Sequence, residues 1–274
     1  MQARIAVDGH ELTVDLARPI DLALELDFAG AQPRHFSAPR ASSRPFETPG
    51  FGFKGSVARG SSCNCEVITL IPHCNGTHTE AAGHLTRDRL DAWRVAPAGL
   101  VPALVVSVTP EAADGEGSEP QPQAGDLLVT RRALERAWPG DRGFAARALV
   151  IRTLPNTLEK RGRDYTGQNP PYLSQQAAQL LVERGILHLV VDLPSIDRTR
   201  DEGRLTAHRV FFGLPRGGLE LAAAQRPAAT ITELAFVPDA VPDGAYLLEL
   251  QVPALSGDAV PSRPLLYALT AASA

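Results

Sequence analysis

Ser174-Gln-Gln-Ala-Ala-Gln-Leu-Leu-Val-Glu-Arg-Gly-Ile-Leu-His-Leu-Val-Val-Asp192 reads as a helix followed directly by a strand. Ser174 is a good N-cap for a helix over residues 175–184, and Gly185 stands at its C-terminal stop. Residues 186–191, apolar apart from His188, read as a buried strand with Asp192 at its end. A second short strand, residues 148–152, precedes the helix. Strand, helix, strand in that order predicts a right-handed crossover and a partly parallel sheet. Folds of this kind gather functional side chains at the carboxyl ends of their strands. Asp192-Leu-Pro-Ser195-Ile-Asp197 occupies such an end, although Asp192 and Ser195 would also serve as caps for the turn that follows.

Outward from this unit the chain supplies further strands. Residues 3–28 alternate apolar and polar side chains in places, and residues 65–71, 100–108 and 247–252 are strand-like runs. A helix is predicted over residues 127–137, stopped by Trp138-Pro139-Gly140. Residues 29–62 are rich in Gly, Pro, Ser and Ala; a loop of that length often covers a functional site. Its phenylalanines, Phe36, Phe46, Phe51 and Phe53, either line a pocket or, the preferred expectation, pin the loop to the core. Residues 110–125 are acidic and rich in Pro and Gly, and read as a mobile surface loop. Residues 165–172 read as another loop. Neither an internal repeat nor a second domain is evident, so one domain with a partly parallel sheet is expected over residues 1–274.

The chemistry is concentrated in His73-Cys74-Asn75-Gly76-Thr77-His78-Thr79-Glu80-Ala81-Ala82-Gly83-His84. Imidazole, thiolate and carboxylate bind transition metals, and they also move protons near neutral pH. Cys74, His78 and Glu80 share parity, so an extended backbone would turn them to one face. It would also hold Cys74 and His78 roughly 13 Å apart, so a bend at Gly76 is needed to bring them to one ion. Glu80 and His84 suit one face of a helical turn. The expected local order is strand, bend, helix start, with ligands on each piece.

This stretch resembles the signature of the cyclase family, metal-dependent hydrolases that include bacterial kynurenine formamidase and isatin hydrolase. The family pattern is H-x-G-T-H-x-D-x-P-x-H; here it reads C-N-G-T-H-T-E-A-A-G-H. Gly76, Thr77, His78 and His84 match, while Glu80 replaces Asp, Ala82 replaces Pro, and Cys74 replaces the first metal-ligand His. Residues 192–197 resemble the family's D-x-x-S-x-D segment, and His208 its distal histidine. Glu233 in Thr230-Ile-Thr-Glu233-Leu resembles an I-x-E-x-L segment better than Glu220 does. The resemblance implies an α/β fold with a mixed sheet, of the swivelling β/β/α type, and homodimers or larger homo-oligomers. It implies a hydrolase for the C–N bond of an amide, formamide or lactam, similar to arylformamidase, with a small-molecule substrate. His78 and Glu80 would be metal ligands, with Cys74 or His73 completing the shell. His84 would be a general acid/base or a ligand of a second ion, which His208 and Glu233 would complete unless they orient the water. Zinc leads because thiolate favours it, and manganese fits if Cys74 stays outside the shell. Two other readings stay open: a catalytically inactive small-molecule binding protein, and a metal-free enzyme with Cys74 as nucleophile.

Composition narrows the rest. The chain has 274 residues, 44% of them hydrophobic, and a net charge of −4, so no basic surplus points to nucleic acid or to an anionic membrane. The acids of the first residues do not fit a signal peptide, and a cytoplasmic protein is expected. Three clustered cysteines do not form a disulfide framework, and Cys63 and Cys65 are expected to be buried structural thiols.

Overall fold

The computed structural model describes residues 1–7, 9–139 and 144–271. In chain order its strands are β1 (Gln2–Val7), β2 (His10–Asp15), β3 (Ile20–Asp21), β4 (Ser42–Pro45), β5 (Glu66–Thr69), β6 (His78–Ala81), β7 (Val101–Val108) and β8 (Leu128–Val129). These are followed by β9 (Ala148–Thr153), β10 (Tyr172–Leu173), β11 (His188–Val191), β12 (Thr230–Glu233), β13 (Gly244–Gln251), β14 (Ala259–Pro261) and β15 (Arg263–Ala271). The helices are α1 (Ala92–Val95), α2 (Arg131–Ala137), α3 (Gln175–Glu183) and α4 (Thr206–Phe212).

Eleven strands form one mixed sheet, in the order β1-β2-β15-β13-β7-β9-β11-β12-β6-β14 with β3 paired beside β15. Its centre, β7, β9, β11 and β12, is parallel, as the strand–helix–strand reading requires. On one side β13 runs antiparallel to β7, and β15 antiparallel to β13; on the other β6 runs antiparallel to β12, and β14 antiparallel to β6. The period of two shows in the packing. Leu104, Val106, Leu149, Ile151, Leu189 and Val191 face one core, shared with α2, α3 and α4. Val105, Ala148, Val150 and Val190 face the other, with Ala235, Val237, Tyr246 and Leu248.

The helix expected after Ser174 forms. Ser174 Oγ accepts from the Ala177 amide at 2.9 Å, and Ala177, Ala178, Leu180 and Leu181 are buried. Gly185, at φ +72°, ends it, donating to the Val182 carbonyl while Ile186 donates to that of Leu181.

Several local expectations are corrected. Residues 127–137 are not one helix: Leu128 and Val129 pair with Tyr172 and Leu173, and Thr130 then caps α2 through its Oγ1. Gly140 lies outside the described residues. The 110–125 loop is tethered, because Glu116 accepts from the Arg131 and Arg132 amides and from Ser174 Oγ. Cys63 and Cys65 are exposed, since they lie on a loop beside the separate β4–β5 pair and away from both core faces. Phe51 is 89% exposed and Phe36 61%, so neither pins the long loop to the core. Among the described residues no helix is long and apolar enough to cross a membrane.

Candidate active site

The His-rich stretch sits where the sheet turns antiparallel. Residues 72–74 form a turn, Gly76 bends the chain at φ +71°, His78–Ala81 is β6, and residues 82–85 make a 3-10 turn. That φ favours glycine, and a Cβ at Gly76 would also press on the Leu26 side chain, 2.9 Å from its Cδ2. Thr77 secures the bend: its Oγ1 donates to the Leu234 carbonyl at 2.5 Å and accepts from the Leu24 amide at 2.8 Å.

Register then selects the face. In the β6–β12 pair His78 is opposite Glu233 and Thr79 opposite Thr232. The two threonine hydroxyls meet at 2.7 Å. Alternation sends His78, Glu80 and Glu233 to the other side. His78 Nε2 lies 3.4 Å from Glu233 Oε2, and Glu233 Oε1 accepts from the Ile196 amide at 2.8 Å. His208 reaches in from α4, with Nε2 2.8 Å from Glu80 Oε1. His73 Nδ1 lies 3.0 Å from Glu80 Oε2, and its Nε2 2.7 Å from Asp258 Oδ2. His84 stands 4.0 Å from Glu80 Oε2 and 3.5 Å from Asp258 Oδ2. Asp197 holds His208 from behind, accepting Nδ1–H at 2.7 Å and the Ala207 and His208 amides.

The Glu80 contacts with His208 and His73 are short but are not aligned as hydrogen bonds. His78 Nε2, both oxygens of Glu80 and His208 Nε2 are buried and have no hydrogen-bond partner among the described residues. Buried polar atoms are seldom left so. Cations beside Glu80 would satisfy them, and three groups of candidate ligand atoms each lie within 4.8 Å of one another: His73–His78–Glu80, Glu80–His84–His208 and His73–His84–Asp258. The donor set therefore fits a divalent ion, with Glu80 common to two groups.

The electrostatics agree. Burial opposes the charge on Glu80, yet His84 and His208 outweigh it and hold the carboxyl well below its ordinary value. Burial likewise opposes charge on His208 and His73, but facing carboxylates reverse the sign. Glu80 and Asp197 hold His208 well above its usual value, and Asp258 and Glu80 push His73 up to about 10. Burial, then Glu233, raises the Cys74 thiol, which works against thiolate ligation.

Thus the structure brings together His78, Glu80, His84, His208 and Glu233. Cys74, half-buried, belongs to none of the three ligand groups, and His73 beside it belongs to two. Ser195 lines the pocket, whereas Asp192 faces away and pairs with buried Lys160 at 2.8 Å. Glu220 is at the surface, paired with Arg87. The sequence reading missed Asp258, which no motif marks, and His35. His35 is fully buried, and burial pushes its pKa down. The pocket over these groups measures about 360 Å³ and is lined by His35, Phe36, His73, Glu80, His84, Ser195, Arg198, His208 and Glu233 among others.

The Cyclase family model matches residues 14–198. The chain belongs to the cyclase family. No curated protein matches it. Similar solved structures include a predicted metal-dependent hydrolase from Bacillus stearothermophilus, with TM-score 0.57 and 17% identity over 91% of this chain and 98% of that one. Isatin hydrolase A from Labrenzia aggregata gives TM-score 0.59 and 17% identity over 91% and 93%. The enzyme of the same name from Ralstonia solanacearum gives 0.59 and 17% over 91% and 91%. At such identities the likeness shows the fold alone, the mixed-sheet α/β fold of these structures.

Proposed function

We propose that this cyclase-family chain, one domain over residues 1–274, is a metal-dependent hydrolase that cleaves the C–N bond of a small amide, formamide or lactam. The observation that carries the reading is the convergence of unpartnered His78 Nε2, Glu80 Oε1 and Oε2, and His208 Nε2 in one buried site. His73, His78 and Glu80 would hold one ion, and Glu80, His84 and His208 a second. His73 supplies the imidazole missing at position 74. With Cys74 outside these groups the thiolate argument for zinc weakens, and the imidazole and carboxylate donors suit zinc and manganese alike.

When bound, a divalent ion lowers the pKa of a coordinated water to ~7 and polarises a carbonyl oxygen. The chain's own groups do the rest. Asp197 accepts the Nδ1 proton of His208, so that Nε2, beside Glu80, would be the nitrogen that gives up its proton to an ion. Glu233, opposite His78, is anchored by the Ile196 amide and keeps one oxygen toward the site. His84 is less buried than Glu80 or His208 and opens on the pocket, 3.5 Å from Asp258; with only the first ion bound it would be free to take a proton from water and return it to a leaving amine.

An arylformamidase-like specificity is supported by the motif resemblance alone. The test is hydrolysis of formanilide and isatin by protein purified without a histidine tag and loaded with zinc or manganese. Turnover abolished by chelation and restored by metal supports the proposal; a fully loaded protein inert to amides, formamides and lactams points to the inactive binding protein.

A further inference from the structure

Beyond the ion ligands, one imidazole of the pocket has no task in the proposed chemistry. Pocket-lining side chains with buried, unpartnered polar atoms are His35, Glu80, Arg198, Thr199 and His208. An ion accounts for Glu80 and His208. Arg198 Nε stands 3.0 Å from Asp126 Oδ2 in an ion pair. His35 remains, with both ring nitrogens unpartnered among the described residues and no exposed surface, together with the Thr199 hydroxyl. A polar ring is seldom buried unpaired without a ligand to complete it.

Its position is built rather than accidental. The His35 amide donates to the Cys74 carbonyl at 3.0 Å, and the neighbouring Arg34 bridges to Asn75, so the long loop is stitched onto the metal motif. The next residues, Phe36 and Ser37, both take φ +54°, a costly backbone for side chains of this kind. The Phe36 ring sits edge-on to His35, with centroids 4.2 Å apart, at the pocket wall.

We infer that His35 is a substrate-contacting residue that hydrogen-bonds the amide group of the bound substrate. The inference rests on the hydrolase reading. An uncharged imidazole offers one N–H donor and one acceptor nitrogen, the complements of an amide's C=O and N–H. A donor aimed at the acyl oxygen gains strength as negative charge develops there.

The test compares wild type, His35→Phe and His35→Gln after loading with zinc or manganese. His35→Phe keeps a ring against Phe36 without nitrogens, and His35→Gln returns one N–H. Three quantities are read: metal content, the Kd of benzohydroxamate as an unhydrolysed amide isostere that chelates metal, and kcat/KM for formanilide. The expected result is unchanged metal content in both variants. In His35→Phe benzohydroxamate binding weakens ~10-fold, the effect of one lost hydrogen bond in a buried site. kcat/KM falls ~10²-fold, and His35→Gln recovers part of both. Wild-type binding and turnover in His35→Phe overturn the inference. So does loss of metal from both variants, or a loaded wild type that does not bind benzohydroxamate. Failure of the wild type to take up either metal overturns the hydrolase reading itself, and metal content distinguishes the two failures.

Discussion

Asp197 Oδ2 receives the Nδ1 proton of His208 at 2.7 Å, on the side of the ring away from Glu80. A carboxylate behind an imidazole fixes its tautomer and orientation and makes the other nitrogen a better ligand. The same carboxylate accepts the Ala207 and His208 amides, so the start of α4 and the ligand ring share one anchor.

Asp197→Asn keeps an acceptor oxygen but removes the charge. Its affinity for zinc or manganese is expected to fall ~10–100-fold, read by competition with a chromophoric chelator. An unchanged affinity would separate Asp197 from the metal site.

His73 sets a pH dependence. Its ordinary value is 6.5, and Asp258 and Glu80 raise it to about 10 in the folded protein. A raised pKa stabilises the fold fully below the ordinary value, and that stability is lost as pH rises through the folded one. Asp258 is shifted the other way, chiefly by its hydrogen bond from His73, so its own titration lies in acid and adds no slope in this window. The Tm of metal-free protein is therefore expected to fall between pH 7 and 10, and His73→Ala to flatten that fall. An ion must displace the same proton, so metal affinity should climb over this range. A Tm that rises from pH 7 to 10 would contradict the account.

Cys74 offers a test of the shell. In a Cys63→Ser, Cys65→Ser background, its thiol should label slowly and at the same rate before and after chelation, because burial and Glu233 raise its pKa and its sulfur belongs to no ligand group. Cys74→Ser should keep full metal occupancy. Labelling that speeds up on chelation would restore Cys74 to the shell.

The parallel centre and the helix after Ser174 were legible because largely apolar runs, an N-cap and Gly185 agree at every level. The metal motif was legible because its spacing places Glu80 and His78 on one face of a short strand. His35 and Asp258 were not, since each joins the site through tertiary contact, one through a loop amide bonded to the Cys74 carbonyl and the other through an antiparallel edge strand's approach. The loss of imidazole at position 74 was visible, but its replacement by a side chain on the adjacent turn depends on how that turn folds. Leu128 and Val129 resembled the start of a helix because the partners that draw them into a strand, Tyr172 and Leu173, lie far along the chain.

Asp192 illustrates a motif residue turned to another task. It is buried, accepting from Thr153 and from Lys160 Nζ. Lys160→Ala would leave that carboxylate uncompensated and is expected to cost about 3–5 kcal/mol in denaturant unfolding, with metal content unchanged. Loss of metal without loss of stability would instead link this pair to the site.

The central claim is that His78 and Glu80 hold a divalent ion. The most direct measurement is elemental analysis of protein purified without a histidine tag and exposed to zinc or manganese, for wild type and His78→Ala, with circular dichroism to confirm the fold. The account predicts at least one tightly held ion per wild-type chain and its loss from folded His78→Ala. A metal-free wild type, or full occupancy in His78→Ala, would contradict it.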